Sequence, residues 1–406
     1  MHARVGIGAA TVMAVIGSVL APTGVHAVVA AASNGQGVPS ITGAPVGAYV
    51  STSPRAIRAA ANLQAVPVRS SFETPTRTVY RDIGISVVLP DGHELWIFGD
   101  TNVFQHSSKG WTSQHFIDGS SAILAHYTRG QVPHGGEYPT GTPGQFLPLP
   151  QHVYLPDGTG RSCIKGISNA AFPARWATGA AVWPTNTSDV LITYSIDCVY
   201  HPPGLPAAQN EGWGYVLYNW RRQRFDHGPV DVFKPRTDGS AFPTSEIFGS
   251  PVFDNGQLTL FSSTCQAAFL GCSGGSVSSV TLAPTTTAMD NPASYQSYEL
   301  RQLSTDGSSP WAPLSVSVGQ YPTGWRLIEW TTILGNYSIF STSSLTAPWH
   351  LEQAGTLPNC QTHNNSAFCF ALVGHPELST PTKIFISYVD PNIAPVGHVV
   401  ISAVPD

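Results

Sequence analysis

Charge is what this sequence has least of. Of its 406 residues only 11% are Asp, Glu, Lys or Arg, with 19 cations against 24 anions and a formal net charge of −5. A protein that grips nucleic acid through its phosphates needs a basic stripe, and 19 cations cannot build a large one. Runs rich in Lys, Glu and Leu are scarce, which argues against a helical bundle. Cys-x-x-Cys spacing and clustered histidines are missing too, so no zinc site is expected. A disordered chain would lack aromatics, yet here they make up 10%. What is abundant is Gly (39) and Pro (34), with much Thr, Ser and Val. That is the composition of a globular, mostly β protein, long enough for one large β domain or two ordinary ones.

The N-terminus has the three parts of a secretory signal. A short basic start, Met1–Arg4, precedes an uncharged run from Val5 to Leu20, then Ala21-Pro22 and the small residues of Val25-His26-Ala27. Cleavage after Ala27 is the expectation. The rival is an uncleaved anchor, because no formally charged residue occurs between Val5 and Ser33. Pro22, Gly24 and His26 weaken such a helix. In either case the body is secreted or held at the cell envelope, and contact with a membrane requires the uncleaved form.

Six cysteines agree with an oxidising destination. Pairing neighbours gives Cys163–Cys198, Cys265–Cys272 and Cys360–Cys369, the simplest of fifteen formal connectivities.

Residues 28–75 are rich in Gly, Pro, Ser and Ala without strand alternation, and read as a linker or a surface strap. From residue 76 to 406 one pattern recurs: an apolar run, a turn, then a β-rich segment. The second segments begin at Glu94, Asp189, Gln257, Asn336 and Lys383. Their upstream partners are Gly84–Leu89, Thr178–Trp183, Gly249–Phe253, Arg326–Thr331 and Phe368–Gly374. Turn residues such as Asp91-Gly92, Asn255-Gly256 and Gly335 separate them. Five such antiparallel units predict an all-β, five-bladed β-propeller stapled by disulfides. A β-sandwich or two small β domains is the alternative.

The densest chemical signal is the first hairpin, Tyr80 to Thr101. With Asp91-Gly92 at its turn, Leu89 is expected to face Glu94 and Asp82 to face Thr101, making Asp82 and Asp100 diagonal neighbours. A one-residue change of register would place them directly opposite. Two carboxyls held close cannot both ionise freely, so one keeps a proton beside an ionised partner. Glycosidic bond cleavage needs that pairing of acid and base. A strand cap at Asp82 and an Asx-turn at Asp100 would be the structural alternative.

The Asp82-Ile-Gly … Phe98-Gly-Asp-Thr101 hairpin, the five-fold repeat and the late His375-Pro-Glu-Leu … Ile386-Ser-Tyr388 segment resemble the five-bladed propeller glycoside hydrolases. Within these, the likeness is to the endo-D-arabinanases of glycoside hydrolase family 183, and it spans roughly residues 75–405. The resemblance implies an enzyme that cuts the D-arabinan of arabinogalactan or lipoarabinomannan, with paired aspartates in a central pocket where Asp82 and Asp100 sit; we assign Asp82 as general base and Asp100 as general acid. Related propeller furanosidases place an acid Glu in blade three, which makes Glu246 the reserve acid.

Hairpin polarity puts first-strand starts and second-strand ends on one side of the ring. Arg175, Trp176, Trp325, Arg326 and Asp390 are expected there as substrate-binding residues. Trp offers a flat apolar platform for a sugar face, and Arg a planar fork for hydroxyls. His375 and Glu377 fall toward the turn side, where a structural role is expected. His115 and Asp118 lie on the way into a blade-one strand. The expected partner is a polysaccharide and the expected state a monomer. No cofactor is required, although the reading leaves room for a structural Ca²⁺ on the propeller axis. A non-catalytic propeller that binds glycan or protein is the rival, and a sialidase would need a larger arginine cluster than Arg175 and Arg326 provide.

Overall fold

Antiparallel strands make up nearly all of the regular structure in the computed structural model. It describes residues 64–150, 153–154, 162–163, 172–199, 208–233, 247–264, 266–267, 272–274, 276–296, 298–302, 315–332, 334–358, 360 and 369–406. Among these, helix is confined to one turn at Thr286–Met289 and a 3-10 turn at Pro292–Ser294.

The strands follow the chain in order. A short β1 (Val66–Pro67) precedes six strands of the first unit: β2 (Arg77–Arg81), β3 (Ile85–Val88), β4 (His93–Phe98), β5 (Thr101–Ser107), β6 (Gly110–Ile117) and β7 (Ser121–His126). β8 (Val153–Tyr154) and β9 (Ser162–Cys163) form a small ladder of their own. The second sheet is β10 (Phe172–Val182), β11 (Asp189–Val199), β12 (Ala208–Asn219) and β13 (Arg224–Phe233). The third begins with β14 (Gly249–Asp254) and β15 (Gln257–Ser263). After the small ladder of β16 (Gln266–Ala267) and β17 (Cys272–Gly274), it ends with β18 (Ser276–Leu282) and β19 (Tyr298–Gln302). The fourth is β20 (Ser315–Tyr321), β21 (Gly324–Thr332), β22 (Asn336–Thr342) and β23 (His350–Thr356). In the last, β24 (Phe370–Thr380), β25 (Lys383–Asp390) and β26 (His398–Pro405) are joined at the edge by β1. Val66 and Pro67 pair with Ile401 and Val400, so part of the stretch expected as linker serves as a strand.

The first strands of the five units touch in a closed cycle. β3 packs on β10, β10 on β14, β14 on β20, β20 on β24, and β24 returns to β3. The apolar core is divided accordingly into wedges between neighbouring sheets. Leu95 and Ile97 meet Ile192 and Val216 in one wedge; Leu191 and Tyr215 meet Leu258 and Leu260 in the next. Phe261 and Val277 meet Leu327 and Phe340 in a third, and Ile328 meets Ile386 in a fourth that also takes in Trp96. Sheets that bury their faces only against neighbours need a ring, and this distribution is that of a propeller-like body.

Close approach at the centre depends on missing side chains. A Cβ on Gly179 of β10 would lie 2.3 Å from Pro251 Cδ and 2.5 Å from the Ser250 amide. One on Gly249 of β14 would lie 2.3 Å from the Thr178 carbonyl oxygen. The same level carries backbone kinks: Ser250 (φ 46°) and Ala371 (φ 57°) are left-handed in β14 and β24, as is Ile83 (φ 55°) just before β3.

Two sequence expectations shift. In the fourth sheet the first strand is Ser315–Tyr321, so Arg326–Thr331 belongs to the second strand and Asn336–Thr342 to the third. Cys360 and Cys369 are joined, with Cα atoms 5.2 Å apart. The side chains of Cys163, Cys198, Cys265 and Cys272 lie outside the described residues.

Candidate active site

The first unit is broken across all three strands at one level. β2 stops at Arg81 and resumes as β3 at Ile85; β4 ends at Phe98 and β5 starts at Thr101; β6 ends at Ile117 and β7 starts at Ser121. Each break holds an aspartate: Asp82, Asp100 and Asp118. Above it lies β2-β5-β6, below it β3-β4-β7.

Register decides how the first two meet. Leu89 faces His93, the first residue of β4, and not Glu94: its amide donates to the His93 carbonyl at 2.7 Å, and Gly92 (φ 86°) closes a three-residue loop. Val88 therefore pairs with Glu94, and Arg81 with Thr101. The expected register was one residue out, and the correction sets Asp82 directly across from Asp100. The Asp82 amide donates to the Asp100 carbonyl at 3.2 Å, while the Gly99 amide donates to the Asp82 carbonyl at 2.6 Å. Gly99 leaves room for the side chain, since a Cβ there would sit 3.3 Å from Asp82 Oδ1. Ile83 in the left-handed region is an unusual cost for a β-branched residue beside this pair.

Both carboxyls are buried, each with 4% of its surface exposed. They are not equivalent. Asp100 Oδ1 accepts from the Trp176 indole at 2.8 Å and from the Gly119 amide at 2.8 Å. Asp82 Oδ1 is buried with no hydrogen-bond partner. Burial pushes Asp100 up to about 7, against the pull of the two N–H donors, with the charges of Asp118 and Asp197 adding to the rise. Asp82 is driven well above the carboxylate range by burial and then by the charge of Asp100.

A third acid joins them. Asp197 of β11 is buried and pushed up to about 7 by burial, while the hydroxyl of Ser195 and the amide of Asn210 lower it in part. Ser195 Oγ donates to Asp197 Oδ2 at 2.5 Å. The sequence reading does not single it out, although Asp197 lies near the end of a second strand, β11. Tyr80 lies on the other side, its hydroxyl buried without a partner and its pKa raised by burial and by both Asp82 and Asp100.

Other expected site residues scatter. Trp176 is at the site through its bond to Asp100. Arg175 is adjacent in sequence but spent internally. Its Nη2 lies 2.9 Å from both oxygens of Asp231, Nη1 donates to the Pro148 carbonyl, and the guanidinium stacks over Tyr194. Asp390, the last residue of β25, is fully buried opposite His398, and its Oδ1 accepts the Asn392 amide at 2.9 Å. Trp325 and Arg326 are placed at the other end of the ring, because they open a second strand rather than a first. Trp325 packs in the wedge between sheets three and four. Arg326 binds Asp406 at 3.0 Å and Glu352 at 3.1 Å. Glu246 lies outside the described residues. His115 is exposed in β6, opposite Val103.

His375 and Glu377 form a separate buried cluster between β24 and β3. Ser86 Oγ bonds His375 Nδ1 at 2.7 Å and donates to Glu377 Oε1 at 2.5 Å; His375 Nε2 meets Ser387 Oγ at 2.7 Å. Beside them Glu94 is fully buried and pushed up to about 8 by burial and by the charge of Glu377, with Trp96 and Ser86 pulling it part of the way back. Among the described residues no three His, Cys, Asp or Glu side chains are grouped to hold a metal ion.

No family model matches the chain, and no curated protein matches it. Solved structures do superpose over most of its length. A putative hydrolase from Bacteroides ovatus is 13% identical, covering 84% of this chain and 94% of that chain with a TM-score of 0.47. A GH43_1 enzyme from Xanthomonas citri is 10% identical, with coverage of 84% and 90% and a TM-score of 0.44. An α-L-arabinofuranosidase from Fusarium graminearum is 12% identical, with coverage of 85% and 98% and a TM-score of 0.38. At such identity the likeness assigns no residue a role.

Proposed function

We propose that the chain is a secreted glycoside hydrolase on a five-bladed propeller, acting on a furanose polysaccharide, with D-arabinan as the first candidate. One observation carries the reading: Asp82 and Asp100 stand directly opposite each other, buried together and both with raised pKa. One proton shared between two such carboxyls gives an acid and a base in one place at neutral pH.

The hydrogen bonds favour roles opposite to those assigned from the sequence. Two N–H donors on Asp100 stabilise its ionised form, so it is the base, activating water or attacking the anomeric carbon. Asp82, whose Oδ1 has no donor, holds the proton and delivers it to the leaving glycosidic oxygen. Asp197, also raised to about 7, keeps the surroundings poor in fixed charge when protonated. D-arabinan as substrate and export from the cell rest on the hairpin resemblance and on the N-terminal segment.

Asp82→Asn and Asp100→Asn are each expected to abolish release of oligosaccharides from arabinogalactan without lowering the thermal melt. On an aryl arabinofuranoside with an acidic leaving group, which departs without protonation, Asp82→Asn should keep substantial turnover and Asp100→Asn none. Full activity of both variants on the polymer would sink the reading.

The rival is a non-catalytic glycan-binding propeller. It draws on the 4% exposure of each aspartate, which leaves little of either open to a substrate. New reducing ends from arabinogalactan, present or absent, separate the two.

A further inference from the structure

Seven of the nine described tryptophans are buried: Trp96, Trp183, Trp213, Trp220, Trp325, Trp330 and Trp349. The two left partly exposed are Trp176 and Trp111. Trp176 is the residue that bonds Asp100. Trp111 is on the β5–β6 hairpin, which rises out of the same break in the first unit.

Strand register links them. Side chains of alternate residues share a face, so Asp100, Asn102, Phe104 and His106 lie along one side of the strand running through β5. On β6, Phe116 is opposite Asn102, Ser113 opposite Phe104, and Trp111 opposite His106. Ser113 Oγ donates to Asn102 Oδ1 at 2.7 Å, and Phe116 packs with Trp176 around Ala174. At the tip the rings of His106 and Trp111 meet edge to face, with centroids 5.1 Å apart. The strip thus runs unbroken from the carboxyl pair to an aromatic pair about 20 Å away, at the usual rise per strand residue.

Trp111 is partly exposed next to the hairpin turn, with its ring against the exposed His106. Its flat face suits the C–H face of a sugar, and the exposed Ser113 hydroxyl between it and Asp100 suits a sugar hydroxyl. We infer that the Trp111–His106 pair is a distal glycan subsite, several sugar residues from the point of cleavage, which selects long chains over short ones. The inference rests on the hydrolase reading for the position of the cleavage point, while the binding itself does not.

The test uses the full chain, wild type and Trp111→Ala, with arabinogalactan as the polymer and an aryl arabinofuranoside as the short substrate. Trp111→Ala should raise KM for the polymer by about tenfold, the worth of one aromatic contact. It should leave kcat and turnover of the short substrate unchanged, and Trp111→Phe should restore most of the loss. An unchanged KM in Trp111→Ala would overturn the subsite. Affinity electrophoresis through arabinogalactan gels reads binding without catalysis. If the wild type is retarded and Trp111→Ala is not, the subsite stands even where no hydrolysis is seen, and only the hydrolase reading fails. If the wild type migrates freely, the subsite is refuted.

Discussion

Trp176 crosses from the second sheet to the first to donate its indole N–H to Asp100, 2.8 Å from Oδ1. The bond holds the carboxylate of one sheet against the wall of the next. It also lowers the pKa that burial raises.

Removing that donor should therefore move an ionisation. Trp176→Phe keeps the ring and loses the N–H; a hydrogen bond to a charged group is worth roughly 1.5–3 kcal/mol, and about 1.4 kcal/mol is one pKa unit. The limb of the pH–activity profile that reports Asp100 should shift upward by about one unit. An unmoved profile in steady-state kinetics between pH 5 and 9 would remove Asp100 from the ionising pair.

Glu94 gives the fold a dependence on pH from a place outside the site. Its carboxyl goes from 4.5 in the free side chain to about 8 in the folded chain, facing Ser86, Trp96 and Glu377, with His375 beyond. The folded chain thus keeps a proton that the unfolded chain releases. This contribution is full below the ordinary carboxyl range and declines as pH rises toward 8, by up to about 1.4 kcal/mol per unit. Glu94→Gln removes the decline. Its melting temperature should match the wild type near pH 5 and exceed it by a few degrees near pH 8, as scanning calorimetry at both values will show.

Gly179→Ala tests the packing at the ring centre. The added methyl would fall 2.3 Å from Pro251 Cδ and 2.5 Å from backbone at Ser250, where nothing can rotate aside. Overpacking of this kind costs about 1–3 kcal/mol, and denaturant titration should find at least that loss. A neutral result would mean that β10 and β14 do not approach so closely.

The sequence carried the five repeated hairpins because each has local marks: alternation, β-branched residues and a turn. Asp82 and Asp100 were legible for the same reason, being two ends of one hairpin. Their register was not, because Pro90 and Gly92 make the loop three residues long, and dipeptide turn rules place Asp91-Gly92 alone at its apex. In the fourth sheet the strand Ser315–Tyr321 has small polar residues in place of an apolar run. Passing over it reversed the polarity of the fourth sheet, and with it the places of Trp325 and Arg326, while the fifth hairpin kept its expected order. Arg175 failed differently: its partner Asp231 arrives three strands later, and no local pattern announces an ion pair between residues 56 positions apart.

The pairing of Val66 and Pro67 with the last strand has a consequence for how the molecule comes into being. The circle is fastened by a latch made from the first and the last of the described strands. A ribosome must release Val400 and Ile401 before that latch can engage, so every shorter nascent form is an open arc with two raw edges.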